Sequence, residues 1–211
     1  MGRPRVNDES VKERLVECAT EWLATRPRET LTIRAVATAA GTSTAAVYSL
    51  FGNKDGLIAA VRDEAVAGLF AAVTAVPATE DVLDDIYALA GAYRNWGREH
   101  PQLYTVLFGG VQSFEPSGTV GTGDPVRPLV QAVDRGVVES VLDGRARAIA
   151  LSLWVALHGL VTLELAGALD TPTAQAAFRT TINATLRGWV TPEPARRLRR
   201  AELGGGIRSQ T

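Results

Sequence analysis

The stretch Thr32–Leu57, TIRAVATAAGTSTAAVYSLFGNKDGL, decides the fold. Ala35, Val36, Ala39 and Ala40 fall at helical spacing, Gly41 breaks the pattern, and Val47, Leu50 and Phe51 resume it. Two short helices joined by a glycine turn and leading into a third make a helix-turn-helix. Thr32 is placed to cap the first helix, Ile33 to Ala40, because its hydroxyl can accept from an unpaired first-turn amide. Gly41 supplies the backbone freedom of the turn, and Thr42 or Ser43 caps the recognition helix, roughly Ser43 to Phe51.

Val47, Leu50 and Phe51 point inward, so the outward face is Thr42, Ser43, Thr44, Ala45, Tyr48 and Ser49. These are small or hydroxyl-bearing residues. Such a helix can lie deep in a major groove, where Thr and Ala methyls pack on thymine methyls and hydroxyls bond bases or phosphates. No Arg, Asn or Gln stands on it, so bidentate base readout is missing, and part of the specificity comes from the N-terminal arm, from DNA shape or from Arg34. In this motif the first helix crosses the DNA backbone, so Thr32 and its neighbouring amides can meet a phosphate. Asn53 caps a long helix from Lys54 to about Val76, and Lys54 at its start either pairs with a phosphate or is a solvated surface lysine.

Upstream, Gly2 to Asn7 is a short arm with Arg3 and Arg5 around Pro4, which either reaches a minor groove or phosphates or is a solvated terminus. A first helix runs from Asp8 to about Thr25 with Val11, Leu15, Cys18, Ala19 and Trp22 on its apolar face. Cys18, the lone cysteine, lies on that face and is a packing residue; a single cysteine also excludes an intrachain disulfide and a cysteine metal cluster.

Composition fits an all-α chain: 211 residues, 46% hydrophobic, with no long alternating pattern. The net charge is −1, distributed as +1 over residues 1–56, −6 over 57–193 and +4 over 194–211, so the middle is acidic. The N-terminus lacks the apolar core of a signal peptide, and the longest apolar run, Ala148 to Leu163, is interrupted by Ser152, His158 and Gly159. Neither secretion nor a membrane span is expected, and a reducing cytoplasm is the natural setting.

Residues 8–57 resemble the DNA-binding domain of TetR-family transcriptional regulators. The resemblance rests on Thr32, Ala37, Ala40-Gly41-Thr42-Ser43, Val47-Tyr48, Phe51, Lys54-Asp55 and Leu57, at unbroken spacing. It implies phosphate contacts from Thr32, Tyr48 and Lys54, and base or groove contacts from Thr42, Thr44, Ala45 and Ser49. One departure is Leu50, where many members carry His or Tyr; a common phosphate donor is absent here.

Beyond Val76 a second helical region is expected. Helices run over Glu80 to Arg98 with Thr79 as cap, Pro101 to Phe108, Pro125 to Leu142, Asp143 to about Leu169, and, capped by Thr171-Pro172-Thr173, through about Val190. The apolar band of the Asp143 helix wraps more than one face and implies burial on several sides. Gly109 to Asp124 is expected to be a mobile loop, and the tail from Glu193 disordered. The organisation is therefore a helix-turn-helix domain over residues 1–57, a helical regulatory and dimerisation domain over 58–192, and a tail over 193–211.

Small residues such as Ala156, Gly159, Ala166, Gly167, Ala177 and Ala184 on the last two helices either pack a monomer core or meet a second copy across a two-fold axis. The family resemblance implies the homodimer, which suits a palindromic operator in double-stranded DNA with half-sites about 34–36 Å apart. Trp154 to Gly159, WVALHG, resembles the Trp-x-x-x-His-Gly motif of one subgroup of TetR-type C-terminal domains. His158 either lines a pocket beside Trp154 or is a core histidine. Tyr93, Trp96, Tyr104, Leu107, Phe108, Trp154 and His158 are the candidate ligand-lining residues for a small hydrophobic ligand.

An enzyme is not expected. His100 and His158 are the only imidazoles, and the chain has no Gly-x-Ser-x-Gly elbow, no phosphate-binding glycine loop and no metal-ligand spacing, so neither cofactor nor metal is implied. The expectation is an all-α, ligand-responsive, homodimeric repressor; the alternative is a dimeric DNA-binding protein with no inducer.

Overall fold

The computed structural model describes residues 5–108 and 124–192, with side chains from Glu9 onward. Arg3, the glycine-rich loop over 109–123 and the tail from Glu193 lie outside the described residues. In chain order the helices are α1 (Arg5–Thr25), α2 (Ile33–Ala39), α3 (Thr44–Phe51), α4 (Lys54–Thr74), α5 (Val82–Glu99), α6 (Pro101–Phe108), α7 (Arg127–Val138), α8 (Ala146–Leu165) and α9 (Thr171–Arg187), with a 3-10 turn at Arg28–Thr30. Among the described residues there is no strand, only an isolated antiparallel bridge between Leu142 and Val190. The all-α expectation holds.

The chain divides into two compact units, residues 1–69 with 99–123 and residues 70–98 with 124–211. In the first, Leu15, Val16 and Ala19 of α1 are buried with Val36, Ala37 and Ala40 of the α2 region, Val47 of α3, and Leu57 and Val61 of α4. Leu103 and Val106 of α6 pack partly buried against the same core, so the unit that holds the helix-turn-helix extends beyond residue 57 and includes α6. Each fully buried Leu or Val here contributes about 1.5–3 kcal/mol of hydrophobic stabilisation. Cys18 is half-buried against this core, as a packing residue should be, and burial pushes its thiol pKa up. Arg5 opens α1 instead of belonging to an arm.

In the second unit α5 buries Val82, Ile86, Leu89, Ala90, Tyr93 and Trp96, α8 buries Ile149, Leu153, Leu157, Leu160 and Val161, and α9 buries Ala174, Phe178, Ile182 and Leu186. Several expected ends move, each through a specific contact. Asp81, not Thr79, caps α5, its carboxylate accepting from Leu83 N–H at 2.9 Å, while Thr79 turns both its N–H and its hydroxyl to Asp85. α7 stops at Val138 because the chain folds back there: the N–H groups of Val141 and Leu142 both reach the Gly136 carbonyl at 2.9 Å. Gly136 leaves room for the Leu142 side chain, since a Cβ would stand 2.8 Å from Leu142 Cδ1 and displace it. Asp143 does not open α8; its N–H donates to the Trp189 carbonyl, tying the α7–α8 link to the end of α9. Asp170 caps α9 through Thr173 N–H at 2.8 Å.

α8 departs from expectation in its burial. It is not enclosed on several sides: Leu151, Val155 and Leu163 remain 47%, 56% and 51% exposed. By length and composition this helix is apolar enough to cross a membrane, with a mean hydropathy of 1.8. Its buried stripe is instead spent on the core of the second unit, which leaves the opposite stripe, Leu151, Val155, Gly159 and Leu163, at four-residue spacing on the surface.

Candidate DNA-reading surface and regulatory core

The helix-turn-helix is built from local chemistry. The Thr32 hydroxyl accepts from Ala35 N–H at 3.2 Å and caps α2. Gly41 takes φ +65°, the left-handed conformation that L side chains avoid, and Thr42 N–H closes the turn on the Ala37 carbonyl at 2.9 Å. Of the two possible caps for α3, Ser43 serves, accepting from Ala46 N–H at 3.2 Å. Val47 is fully buried and fixes the helix, with Leu50 and Phe51 partly buried beside it. The opposite side presents Ser43, Thr44, Ala45, Tyr48 and Ser49 to solvent, Tyr48 at 55% exposure, and leaves Thr42 half-buried. Arg34 is exposed on α2.

Lys54 is less free than its place at a helix start suggests. Its ammonium donates to the Glu29 carbonyl at 3.3 Å, and the neighbouring Asp55 pairs with Arg28 at 2.9 Å. These two contacts hold the Arg28–Thr30 turn against the first turn of α4. An ammonium has three donors, so Lys54 keeps capacity for a phosphate after this bond. Arg28 is a positioning residue that the sequence expectations did not include; the signal for it was the Arg26-Pro27-Arg28 run. Thr30 anchors the same turn from its other end, its hydroxyl accepting from Trp22 Nε1 at 3.1 Å while the Arg26 guanidinium lies over the Trp22 ring. Asn53 caps α4, its side chain accepting from Gly56 N–H at 2.8 Å.

In the second unit, Trp154 and His158 stack with ring centroids 5.2 Å apart, and Tyr93 Oη lies 3.1 Å from His158 Nδ1. Burial pushes the His158 pKa down, which favours a neutral imidazole; Tyr93 Oη and His158 Nδ1 share one hydrogen bond whose donor is set by the tautomer. Tyr93 and Trp96 are buried, Trp154 and His158 half-buried. Tyr104, Leu107 and Phe108 belong to α6 in the first unit, with Tyr104 buried against Phe108 at 4.8 Å between centroids. A cavity of about 360 Å3 lies elsewhere in the second unit, between the end of α4, the 76–78 link, α5 and α7; none of these candidates is in its wall.

The neutral His158 has a pH consequence with a definite sign. Its folded pKa lies below the unfolded value of about 6.5, so the unfolded chain takes up the proton first as pH falls, and stability is lost between the two values. Urea denaturation of the wild type and of His158→Gln at pH 8 and pH 5 is expected to show the stability advantage of the wild type shrinking at pH 5. An advantage that stays constant or grows contradicts a neutral buried imidazole.

A buried ion pair and a half-buried one brace this unit. Arg94 meets Glu164 in a bidentate pair, Nε to Oε2 at 2.7 Å and Nη2 to Oε1 at 2.8 Å, and donates from Nη1 to Gln175 Oε1 at 2.6 Å. Asp85 accepts from Thr79 N–H, the Thr79 hydroxyl and Arg135 Nη2. Burial on its own would raise the Asp85 pKa, but those hydrogen bonds and the Arg135 charge outweigh it and hold the carboxyl below its ordinary value.

A helix-turn-helix whose small, hydroxyl-rich face projects from a packed helical core, followed by a second helical unit, defines a DNA-binding transcriptional regulator. Residues 15–61 match the tetR family of bacterial regulatory proteins and residues 86–186 match the tetracyclin repressor-like C-terminal domain. An uncharacterised HTH-type transcriptional regulator of Mycobacterium tuberculosis is 31% identical over 172 residues, 79% of this chain and 76% of the relative. The chain belongs to the TetR family. Solved structures share the fold: a Rhodococcus sp. RHA1 protein of unknown function, at TM-score 0.69 and 24% identity, covers 86% of this chain and 96% of its own. The TetR-family transcriptional regulator PfmR of Thermus thermophilus, at TM-score 0.63 and 22% identity, covers 82% and 97%.

Proposed function

We propose that this TetR-family regulator is a cytoplasmic homodimeric repressor that holds a palindromic operator and releases it when a small hydrophobic ligand binds the second unit. The observation that carries the reading is the exposed face of α3, fixed from behind by Val47 and free of any large side chain except Tyr48. Thr44, Ala45 and Ser49 read the groove with Thr42 and Ser43 at its edge, Thr32, Tyr48 and Lys54 hold phosphates, and Arg34, Arg3 and Arg5 add contacts around them. Ser43 spends its hydroxyl oxygen on the cap and keeps its O–H for DNA. The dimer is supported by the exposed stripe of α8 and by Ala176 and Ala184 exposed on α9. Ligand coupling is supported by α4, which runs from Lys54 in the first unit to Thr74 in the second, so a shift of its far end acts on the helix-turn-helix. The aromatic and imidazole set of Tyr93, Trp96, Trp154 and His158 within the second unit fits a ligand-sensing role. We assign the chain no catalytic role and no cofactor, in keeping with a family of transcriptional regulators.

Operator binding tests the division of labour on α3. Tyr48→Phe and Lys54→Gln are expected to weaken binding evenly across sequences, and Lys54→Gln alone to lower the salt slope by about 1, as loss of one cationic phosphate contact does. Thr44→Val and Ala45→Ser are expected to change which sequences are preferred, by about 1–3 kcal/mol at the affected base pair. Fluorescence anisotropy on the operator recovered by genome-wide binding, over a range of salt concentrations, reads both effects. Even loss across all sequences for both groups rejects the assignment.

A further inference from the structure

DNA binding draws on cations that neutralise phosphates and release counterions, but α3 offers only hydroxyl donors, from Thr44, Tyr48 and Ser49. Most cations on the elements before it are engaged locally. Lys12 pairs with Glu9 at 3.2 Å, Arg28 pairs with Asp55 at 2.9 Å, and the Arg26 guanidinium lies over the Trp22 ring. Arg14 behaves differently. It is exposed on α1 and, although Glu17 follows within one helical turn, it forms no ion pair among the described residues. Its side chain crosses to the end of α2 instead, where Nε donates to the Ala40 carbonyl at 3.4 Å.

That carbonyl fixes where the charge stands. Ala40 is the C-terminal cap of α2, and the amides that follow are spent on other carbonyls, Gly41 N–H on Thr38 and Thr42 N–H on Ala37. Arg14 therefore meets a helix-end acceptor that the turn leaves over. The bond is long against the roughly 2.7–3.2 Å usual for N–H···O, so it adds little to stability and serves to place the guanidinium. Thr42 and Ser43, at the edge of the groove-facing surface, follow directly after Ala40-Gly41. With Nε turned to Ala40, Nη1 and Nη2 form the outer end of a planar fork, a geometry that matches two oxygens of one phosphate.

We propose that Arg14 is a phosphate-binding residue of the operator complex, held at the α2–α3 turn by the Ala40 carbonyl and contacting the DNA backbone beside the groove that α3 enters. This rests on the reading of α3 as the groove-facing helix.

Two substitutions separate the charge from the bond. In Arg14→Gln the amide nitrogen takes the place of Nε on Cδ, so the Ala40 contact is kept while the charge and the fork are lost. Arg14→Lys keeps the charge and loses the Nε donor. Anisotropy of the full-length proteins on the operator recovered by genome-wide binding, over about 50 to 200 mM salt, reads both beside Lys54→Gln. Arg14→Gln is expected to weaken binding evenly across sequences and to lower the salt slope by about 1, so that the wild-type advantage shrinks about threefold over that range. Arg14→Lys is expected to keep the wild-type slope, and urea denaturation of Arg14→Gln to coincide with that of the wild type. A wild-type slope in Arg14→Gln, with or without lost stability, marks a structural residue and overturns the proposal, as does a lowered slope in Arg14→Lys. If Lys54→Gln lowers the slope and Arg14→Gln does not, the assignment of Arg14 fails and the reading of α3 stands; if neither moves it, both fail.

Discussion

Glu164→Ala is expected to destabilise the second unit by about 3–5 kcal/mol, because it leaves the buried Arg94 guanidinium without its counter-charge. The side chains of Arg94 and Glu164 are 4% and 8% exposed, and two short parallel hydrogen bonds join them. Without Glu164, Arg94 keeps one bond to Gln175 and the Phe178 ring 5.2 Å away, neither of which neutralises a charge. Arg98, 43% exposed, also pairs with Glu164 at 3.3 Å, but a cation at the surface is solvated when its partner goes and adds little. The double variant Arg94→Met with Glu164→Leu removes both charges and should be close to the wild type or more stable, since burying the ions costs about what their attraction returns. Urea denaturation of the three proteins checks this. A single variant that loses under about 1 kcal/mol would mean a well-solvated pair, as at an exposed surface.

Both charges are legible in part from the sequence. Arg94 falls four residues after Ala90 on the apolar stripe of α5, and Glu164 falls four after Leu160 on that of α8. A charge in register with a buried stripe signals a partner, but naming the partner means knowing that residues 70 positions apart meet. The helix-turn-helix was read almost completely because caps and turns depend on neighbours: Thr32 on Ala35, Ser43 on Ala46, Asn53 on Gly56, and Gly41 on its own backbone angle. Lys54 marks where such reasoning stops, since its bond to the Glu29 carbonyl spans 25 positions. The early end of α7 and the late start of α8 have the same origin, in hydrogen bonds from the 141–143 link back to Gly136 and across to Trp189. Hydropathy erred on α8 for another reason: it counts apolar residues without regard to face. Leu151, Val155 and Leu163 add to that count, yet they lie away from the stripe that Ile149, Leu153, Leu157 and Leu160 spend on the core.

That exposed stripe sets the second large expectation. Leu151→Arg with Val155→Arg should convert the proposed dimer to a monomer and lower operator affinity by about 10²–10⁴, the gain that linking two binding modules supplies. Both side chains are already half in solvent, at 47% and 56% exposure, so arginine can extend into water without disturbing the core of the unit. In a two-fold interface the same change appears twice, which places four guanidinium groups without partners against an apolar face, and each carries a desolvation cost of several kcal/mol. Affinity for a single half-site should not change, because α3 and its supporting core are untouched. Light scattering after size-exclusion chromatography gives the oligomeric state, and anisotropy on full and half operators gives the two affinities. A variant that stays dimeric places the interface elsewhere. A monomer that holds the full operator as tightly as the wild type shows that the two recognition helices do not act as a pair. Loss on the full operator alone ties the exposed stripe of α8 to DNA binding by the spacing it imposes.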